Sequence, residues 1–391
     1  MKDPHKNQPG FATRAVHSGN DPDPATGAVS PPIHLTSTFR QEGVDRHLGY
    51  DYSRAVNPTR SRWEANLADL EGGARAFAFS SGMAAITALF QCLNAGDHVV
   101  VGHNVYGGTH RLIHHVFHRL PLEFTFVDCS DEDHLRQALQ ANTRLLFLET
   151  PTNPLLEVVD IRGIQALVDG RDIWMAVDNT FMSPYGQRPL ELGADIVIHS
   201  STKYLGGHSD VLGGALITSH PELIDRLGMI QKSAGAVPSP FDCWLLLRST
   251  KTLALRVQKQ ADNAHQLARW CAEHPAIEKT IYPGLEHHPQ HELASRQQRT
   301  PYGESIYGSM ISLELGTVAR RDRFFSRLKL FTLAESLGGV ESLVSNPFVM
   351  THGSIPRAEK EALGITESLV RLSVGVEEVD DLLADLDQAL A

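Results

Sequence analysis

Lys203 stands in His199-Ser-Ser-Thr-Lys-Tyr204, directly after the apolar run Ile196-Val-Ile198, which reads as a strand. A second apolar run, over residues 173–177, leads into Asp178-Asn-Thr180. One strand end delivers a carboxylate and the next delivers an amine among hydroxyls. That set suits covalent attachment of pyridoxal phosphate (PLP). The lysine forms the Schiff base, the aspartate pairs with the pyridinium nitrogen, and the hydroxyls take phosphate oxygens. Taken singly, each part has a plainer reading, as a solvated loop lysine and a turn-forming aspartate. The surrounding pattern has to decide.

Ser80-Ser-Gly-Met83 precedes an amphipathic run. A serine cap, a glycine and the free amides of a helix start make a seat for an anion, although an isolated Ser-Gly is also an ordinary helix cap. Neither a G-x-x-x-x-G-K-[ST] loop nor a G-x-G-x-x-G turn after the first strand is present, which argues against nucleotide cofactors. The 20 histidines include His114-His-Val-Phe-His118 and His287-His-Pro-Gln-His291. No cysteine or carboxylate pattern completes a metal site around them, so no metal is expected. Tyr50, Tyr52, Tyr106 and Tyr204 lie in polar or Gly-containing loops, where a phenol is either a rim residue or a stacking platform.

These groups need a scaffold. Helical periodicity over residues 62–70, 83–93, 109–119, 133–140 and 161–168 interleaves with short apolar runs at 98–101, 124–127, 145–148, 173–177, 196–198 and 215–217. Such alternation predicts an α/β fold with a mostly parallel sheet covered by helices, and ligands gather at the carboxyl ends of its strands. Glu149, Asp178 and Ser200 all fall at such ends. A long helical stretch from 246 to 271 leads into a smaller α+β region, with strands near 310–315 and 369–373 and a final helix over 380–390. The first fifty or so residues are rich in Pro, Gly, Asp and Thr without a period, and read as an extended arm tied down by something else, such as a second subunit. The expected division is an arm over 1–59, a cofactor-binding α/β domain over 60–248 and a C-terminal α+β domain over 249–391.

The chain has 391 residues, 42% of them hydrophobic and 21% charged, ordinary values for a globular protein. A net charge of -11 argues against a nucleic acid or an acidic membrane surface as partner. Cys92, Cys129, Cys243 and Cys271 are scattered without C-x-x-C spacing, and read as reduced, packed thiols. The first ten residues contain no apolar leader segment, so a cytoplasmic location is expected.

Several motifs occur in order: Tyr50-Asp-Tyr-Ser-Arg-Ala-Val-Asn-Pro-Thr-Arg60, Ser81-Gly-Met83, Tyr106-Gly-Gly-Thr109, Glu149-Thr-Pro-Thr-Asn-Pro154, Val177-Asp-Asn-Thr180, His199-Ser-Ser-Thr-Lys-Tyr204 and Ala334-Glu-Ser-Leu-Gly-Gly-Val-Glu-Ser-Leu343. From about Ala15 onward the chain resembles the Cys/Met-metabolism family of PLP enzymes, which has the fold of the large aspartate aminotransferase class, fold type I. The resemblance implies that Lys203 carries the cofactor and later moves protons, that Asp178 keeps the ring nitrogen protonated, and that Tyr106 stacks on the ring and acts as acid or base. It implies that Asn153 contacts the 3′-oxygen, and that Gly82, Met83, Ser200 and Thr202 hold the phosphate. Tyr52 and Arg54 would reach that phosphate from a neighbouring subunit of a homotetramer, with Tyr52 also a catalytic residue beside Lys203 and Tyr106. Ser336 and Arg371 would take the carboxylate of a small amino-acid substrate.

Within the family, Glu335 precedes Ser-Leu-Gly-Gly as in members acting at Cγ of cystathionine or an O-acylhomoserine. β-Lyases usually carry tyrosine there and tryptophan at the place of Leu337. Methionine γ-lyases usually carry cysteine at the place of Gly107. Gly235-Ala-Val-Pro-Ser-Pro-Phe-Asp-Cys243 is similar to γ-lyases, so cleavage of cystathionine is the expectation and γ-replacement on an O-acylhomoserine by cysteine the alternative. A non-catalytic PLP-binding relative would be expected to have lost Lys203, Asp178 or Arg371, and all three are present. Residues 299–310 depart from the family by forming a longer approach to the next strand.

Overall fold

In a computed structural model, which describes residues 9–391, seven strands form one sheet. They are β1 (Arg75–Phe79), β2 (His98–Gly102), β3 (Glu123–Val127), β4 (Thr143–Glu149), β5 (Trp174–Asp178), β6 (Ile196–His199) and β7 (Gly214–Thr218). Their order is β1-β7-β6-β5-β4-β2-β3, and only β7 runs antiparallel to its neighbours. The strands are apolar on both faces because helices cover both sides. Leu145, Phe147, Trp174, Ala176, Ile196 and Ile198 join one buried cluster with the helix Gly82–Phe90, while the intervening Leu146, Leu148, Met175 and Val177 join another. Six strands running the same way therefore end at one edge, where the residues after β1, β2, β4, β5 and β6 meet.

A second sheet, from β8 (Lys279–Ile281), β9 (Met310–Glu314), β10 (Thr332–Leu333), β11 (Leu343–Ser345) and β12 (Leu369–Ser373), has the order β10-β11-β12-β9-β8. Strand alternation decides what β12 does. Val370 and Leu372 enter a core with Ile311, Leu313 and the helices Leu253–Glu273 and Val379–Leu390. Arg371, between them, faces the other way and bonds Asn153. Ser312 on the adjacent strand likewise donates to the Pro154 carbonyl at 2.7 Å.

The expected parallel α/β sheet and smaller α+β region are present, with local differences. β1 was not anticipated from its sequence, Arg-Ala-Phe-Ala-Phe, which is short and opens on a charge. The helical stretch expected to run from 246 to 271 is two helices, Pro240–Thr250 and Leu253–Glu273. At the break the hydroxyls of Thr250 and Thr252 donate to the carbonyls of Leu247 and Ser249, a side-chain alternative to the helical ladder. The arm is not wholly extended either. Phe11–His17 is helical, buries Phe11 and Ala15 in the chain's own core, and is held by Asn66, which donates to the carbonyls of Ala15 and Ser18. The arm's first eight residues lie outside the described residues. All four cysteines are buried and unbonded. Among the described residues no helix is long and apolar enough to cross a membrane.

Candidate active site

At the carboxyl edge of the large sheet, under the second sheet, lies a cavity of about 220 Å³. It brings together Lys203, Asp178, Ser200, Thr202, Gly82, Met83, Tyr106, Asn153, Arg371, Ser336 and Glu335. Tyr52 and Arg54 are not among its walls.

Lys203 follows β6 in a tight turn, where its amide bonds the Ser200 carbonyl. Its Nζ donates to Ser336 Oγ at 2.8 Å. Burial, aided by the Arg371 guanidinium and opposed by Glu335, pushes the amine down to about 8. An amine so placed has an appreciable neutral, nucleophilic fraction near pH 7. Ser336 adopts φ 96°, an uncommon conformation for a residue with a side chain. In that conformation it serves two cations, Lys203 through its hydroxyl and Arg371 through its carbonyl at 2.9 Å.

Glu149 and Asp178 end the neighbouring strands β4 and β5 in register. Burial lifts both carboxyls above the usual range, and the proximity of Asp178 helps raise Glu149 to about 8. Their surroundings differ. Asp178 Oδ1 accepts from the Thr180 amide at 3.0 Å, and the carboxyl borders the cavity. Both Glu149 oxygens are occupied by backbone amides, those of Tyr106 and Asn153.

The helix Gly82–Phe90 begins at the cavity wall. Ser81 caps it by accepting from the Ala84 amide at 3.1 Å, while the Gly82 and Met83 amides have no helical partner. Close packing here requires glycine. A Cβ on Gly82 would lie 2.9 Å from Ser200 Cβ, and one on Gly214 would lie 2.0 Å from the Ser81 carbonyl oxygen. Ser200 is held by its amide on Thr180 Oγ1 at 2.9 Å, and Thr202 by hydroxyl bonds with the backbone of Gly213.

Arg371 is fully buried, yet its guanidinium, lowered by burial to about 10, remains a cation at neutral pH. Nη1 donates to Asn153 Oδ1 and Nη2 to the Ser336 carbonyl, both at 2.9 Å, and among the described residues Nε has no partner. Tyr106 is partly open to the cavity mouth. Its ring passes so near Gly108 that a Cβ there would sit 2.3 Å from Cε1. Glu335 is exposed at the mouth, lining both the cavity and an outer groove.

Tyr52 and Arg54 stand exposed on the chain's own surface, the guanidinium 5.5 Å over the phenol ring and donating to the Lys232 carbonyl. Sequence reasoning had not assigned Thr180, Phe181, Leu212 or Thr351 to the site, nor given Glu149 a role beyond its strand end. Thr351 comes from a distant loop whose carbonyl would lie 2.5 Å from a Cβ on Gly107, and no periodicity signals that approach.

A buried lysine amine of lowered pKa, a strand-end carboxyl and a capped helix start opening on one cavity define a site for pyridoxal phosphate. The residues fit that cofactor: Gly82 and Gly214 let the helix start pack closely on Ser200 and β7 with its first amides free, and Asp178 presents an acceptor to a protonated ring nitrogen. The chain belongs to the Cys/Met metabolism PLP-dependent enzymes, whose sequence model it matches over residues 12–391. It is 51% identical over 390 residues to a cystathionine γ-synthase of Mycobacterium leprae, covering 99% of this chain and 98% of that one. It is 48% identical over 381 residues to a cystathionine β-lyase of Coxiella burnetii, covering 97% of each. It also superposes with a TM-score of 0.93 on the crystal structure of cystathionine γ-lyase from Lactobacillus plantarum complexed with L-serine, at 46% identity, over 97% of this chain and 98% of that one. The protein is therefore a PLP-dependent enzyme of carbon–sulfur chemistry, with the fold of the aspartate aminotransferase class.

Proposed function

We propose that this enzyme cleaves the Cγ–S bond of L-cystathionine, with water, to give L-cysteine, 2-oxobutyrate and ammonia. The observation that carries the reading is the pairing of a buried cation with an exposed carboxylate across one cavity. Arg371 lies deep beside Lys203, and Glu335 lies at the mouth. Arg371 and Ser336 take the α-carboxylate of the half of cystathionine that reacts, and Glu335 pairs with the distal ammonium. That places Cγ rather than Cβ at the reacting position.

Pyridoxal phosphate, when bound, supplies an electron sink that acidifies the carbons next to the substrate nitrogen. Lys203 would hold it and would move protons at Cα and Cβ of the substrate. Asp178 would face the ring nitrogen. Tyr106 covers the ring and serves the leaving sulfur as acid, while Asn153 contacts the 3′-oxygen. Gly82, Met83, Ser200 and Thr202 seat the phosphate, with Tyr52 and Arg54 of a neighbouring subunit in a homotetramer.

Gamma-replacement is the second reading, supported by the γ-synthase relative at 51% identity. Incubation with L-cystathionine, and separately with O-succinyl- or O-acetylhomoserine plus cysteine, separates the two. Release of 2-oxobutyrate from cystathionine as the faster reaction is expected, and faster cystathionine formation would favour the second. For Glu335→Ala we expect more β-cleavage, seen as a higher ratio of pyruvate to 2-oxobutyrate. An unchanged ratio would remove Glu335 from the orientation of substrate.

A further inference from the structure

Two carboxyls end adjacent strands at this site, both at the cavity wall, and their hydrogen bonding differs. Glu149 is buried and accepts at both oxygens, Oε2 from the Tyr106 amide at 2.9 Å and Oε1 from the Asn153 amide at 3.1 Å. Those amides belong to different loops, one after β2 and one after β4. Asn153 passes the connection on, because its Oδ1 accepts from Arg371 at 2.9 Å. One carboxyl thereby ties the Tyr106 loop to the residue that orients the buried guanidinium.

We propose that Glu149 is a positioning residue that fixes Tyr106 and the Asn153–Arg371 pair relative to each other, so that the ring-facing phenol and the carboxylate-binding guanidinium keep one geometry. It acts through two backbone amides, those of Tyr106 and Asn153. The arrangement also separates the roles of the strand-end acids, since Asp178 accepts from the Thr180 amide at one oxygen while Glu149 accepts from an amide at each. Glu149→Gln keeps the size but turns one acceptor into a donor facing an N–H, which breaks one of the two ties.

The inference rests on Arg371 receiving the substrate carboxylate, and two measurements keep the two ideas apart. Amide exchange in peptides spanning residues 104–109 and 151–156 should quicken roughly tenfold or more in Glu149→Gln, in apo- and holoprotein alike, with exchange elsewhere unchanged. This readout does not involve substrate. In the holoenzyme, binding of glycine, followed by the cofactor absorbance, should weaken roughly tenfold in Glu149→Gln and at least as much in Asn153→Ala. The double variant should be no worse than the weaker-binding single one, because both changes act on the same guanidinium. Unchanged exchange in both peptides overturns the positioning role, as do singles whose effects multiply in the double variant. Faster exchange with glycine binding unaltered in all three variants keeps the tie but removes Arg371 as the carboxylate site. Should Glu149→Gln not fold, Glu149→Asp, which keeps two acceptor oxygens on a shorter stem, takes its place with the same readouts and the same outcomes.

Discussion

Lys203 and Arg371 lie in one cavity, and each sets the other's chemistry. The guanidinium is one cause of the lowered lysine pKa, second to burial. Below about pH 8 the amine is protonated and has no free pair to attack an aldehyde, and above it the pair is available. Loading of apoprotein with pyridoxal phosphate, followed by absorbance, should therefore quicken as pH rises through about 8, well below the ordinary lysine range. Borohydride should then fix the label on Lys203, and a label mapped to another lysine would overturn the assignment. Arg371→Ala should move that pH midpoint upward, since a depressing charge is gone. The same variant leaves a substrate carboxylate without its buried partner, a loss of roughly 2–5 kcal/mol. We expect kcat/KM to fall by roughly two to three orders of magnitude, with the holoenzyme spectrum retained. Near-normal kinetics would place the carboxylate elsewhere.

At the scale of elements, the helix Gly82–Phe90 has to start within van der Waals reach of the turn after β6. Gly82→Ala forces a methyl against Ser200 Cβ at 2.9 Å, and the backbone on both sides has little room to yield. Weaker retention of pyridoxal phosphate on dialysis is expected, with substrate KM changed less. Tight retention would show that the helix start does not hold the phosphate. How much of this was legible beforehand follows from what each feature depends on. The strands ending at Glu149, Asp178 and His199 announce themselves as apolar runs, and the lysine and aspartate stand one strand apart. Arg371 is recognisable only through a family motif, since nothing in Leu-Val-Arg-Leu-Ser indicates which way its middle residue faces. Approaches across the fold leave no local trace. Thr351 against Gly107, Ser81 against Gly214 and Glu149 under two amides are pairings of distant residues. The helix Phe11–His17 was missed because seven residues carry too little period to stand out from a Pro- and Gly-rich arm.

Over the whole molecule, the arm presents apolar side chains at the surface, among them Val29, Leu35, Val44 and Leu48, each more than two-thirds exposed. Among the described residues, the arm is held on its own chain at Phe11 and Ala15, at the Pro31 carbonyl that accepts from Trp244, and at buried Asn57 and Thr59. An arm of this kind is suited to packing on a second copy, and Tyr52 and Arg54 travel with it. Mixing Arg54→Ala chains with Lys203→Ala chains, each inactive alone, tests the shared site. Random exchange makes half the dimers mixed, and one of the two sites in each is then intact, so about a quarter of wild-type activity should return. Confirmed exchange without any recovery would return the arm to its own chain.

Arg54 spends its guanidinium on the Lys232 carbonyl and stays outside its own cavity. If its place in the assembled enzyme is a neighbour's phosphate seat, cofactor occupancy and self-association are thermodynamically linked. Whatever factor pyridoxal phosphate adds to the association constant, association adds to the affinity for pyridoxal phosphate. Dilution then acts as an inhibitor, and vitamin supply acts on quaternary structure.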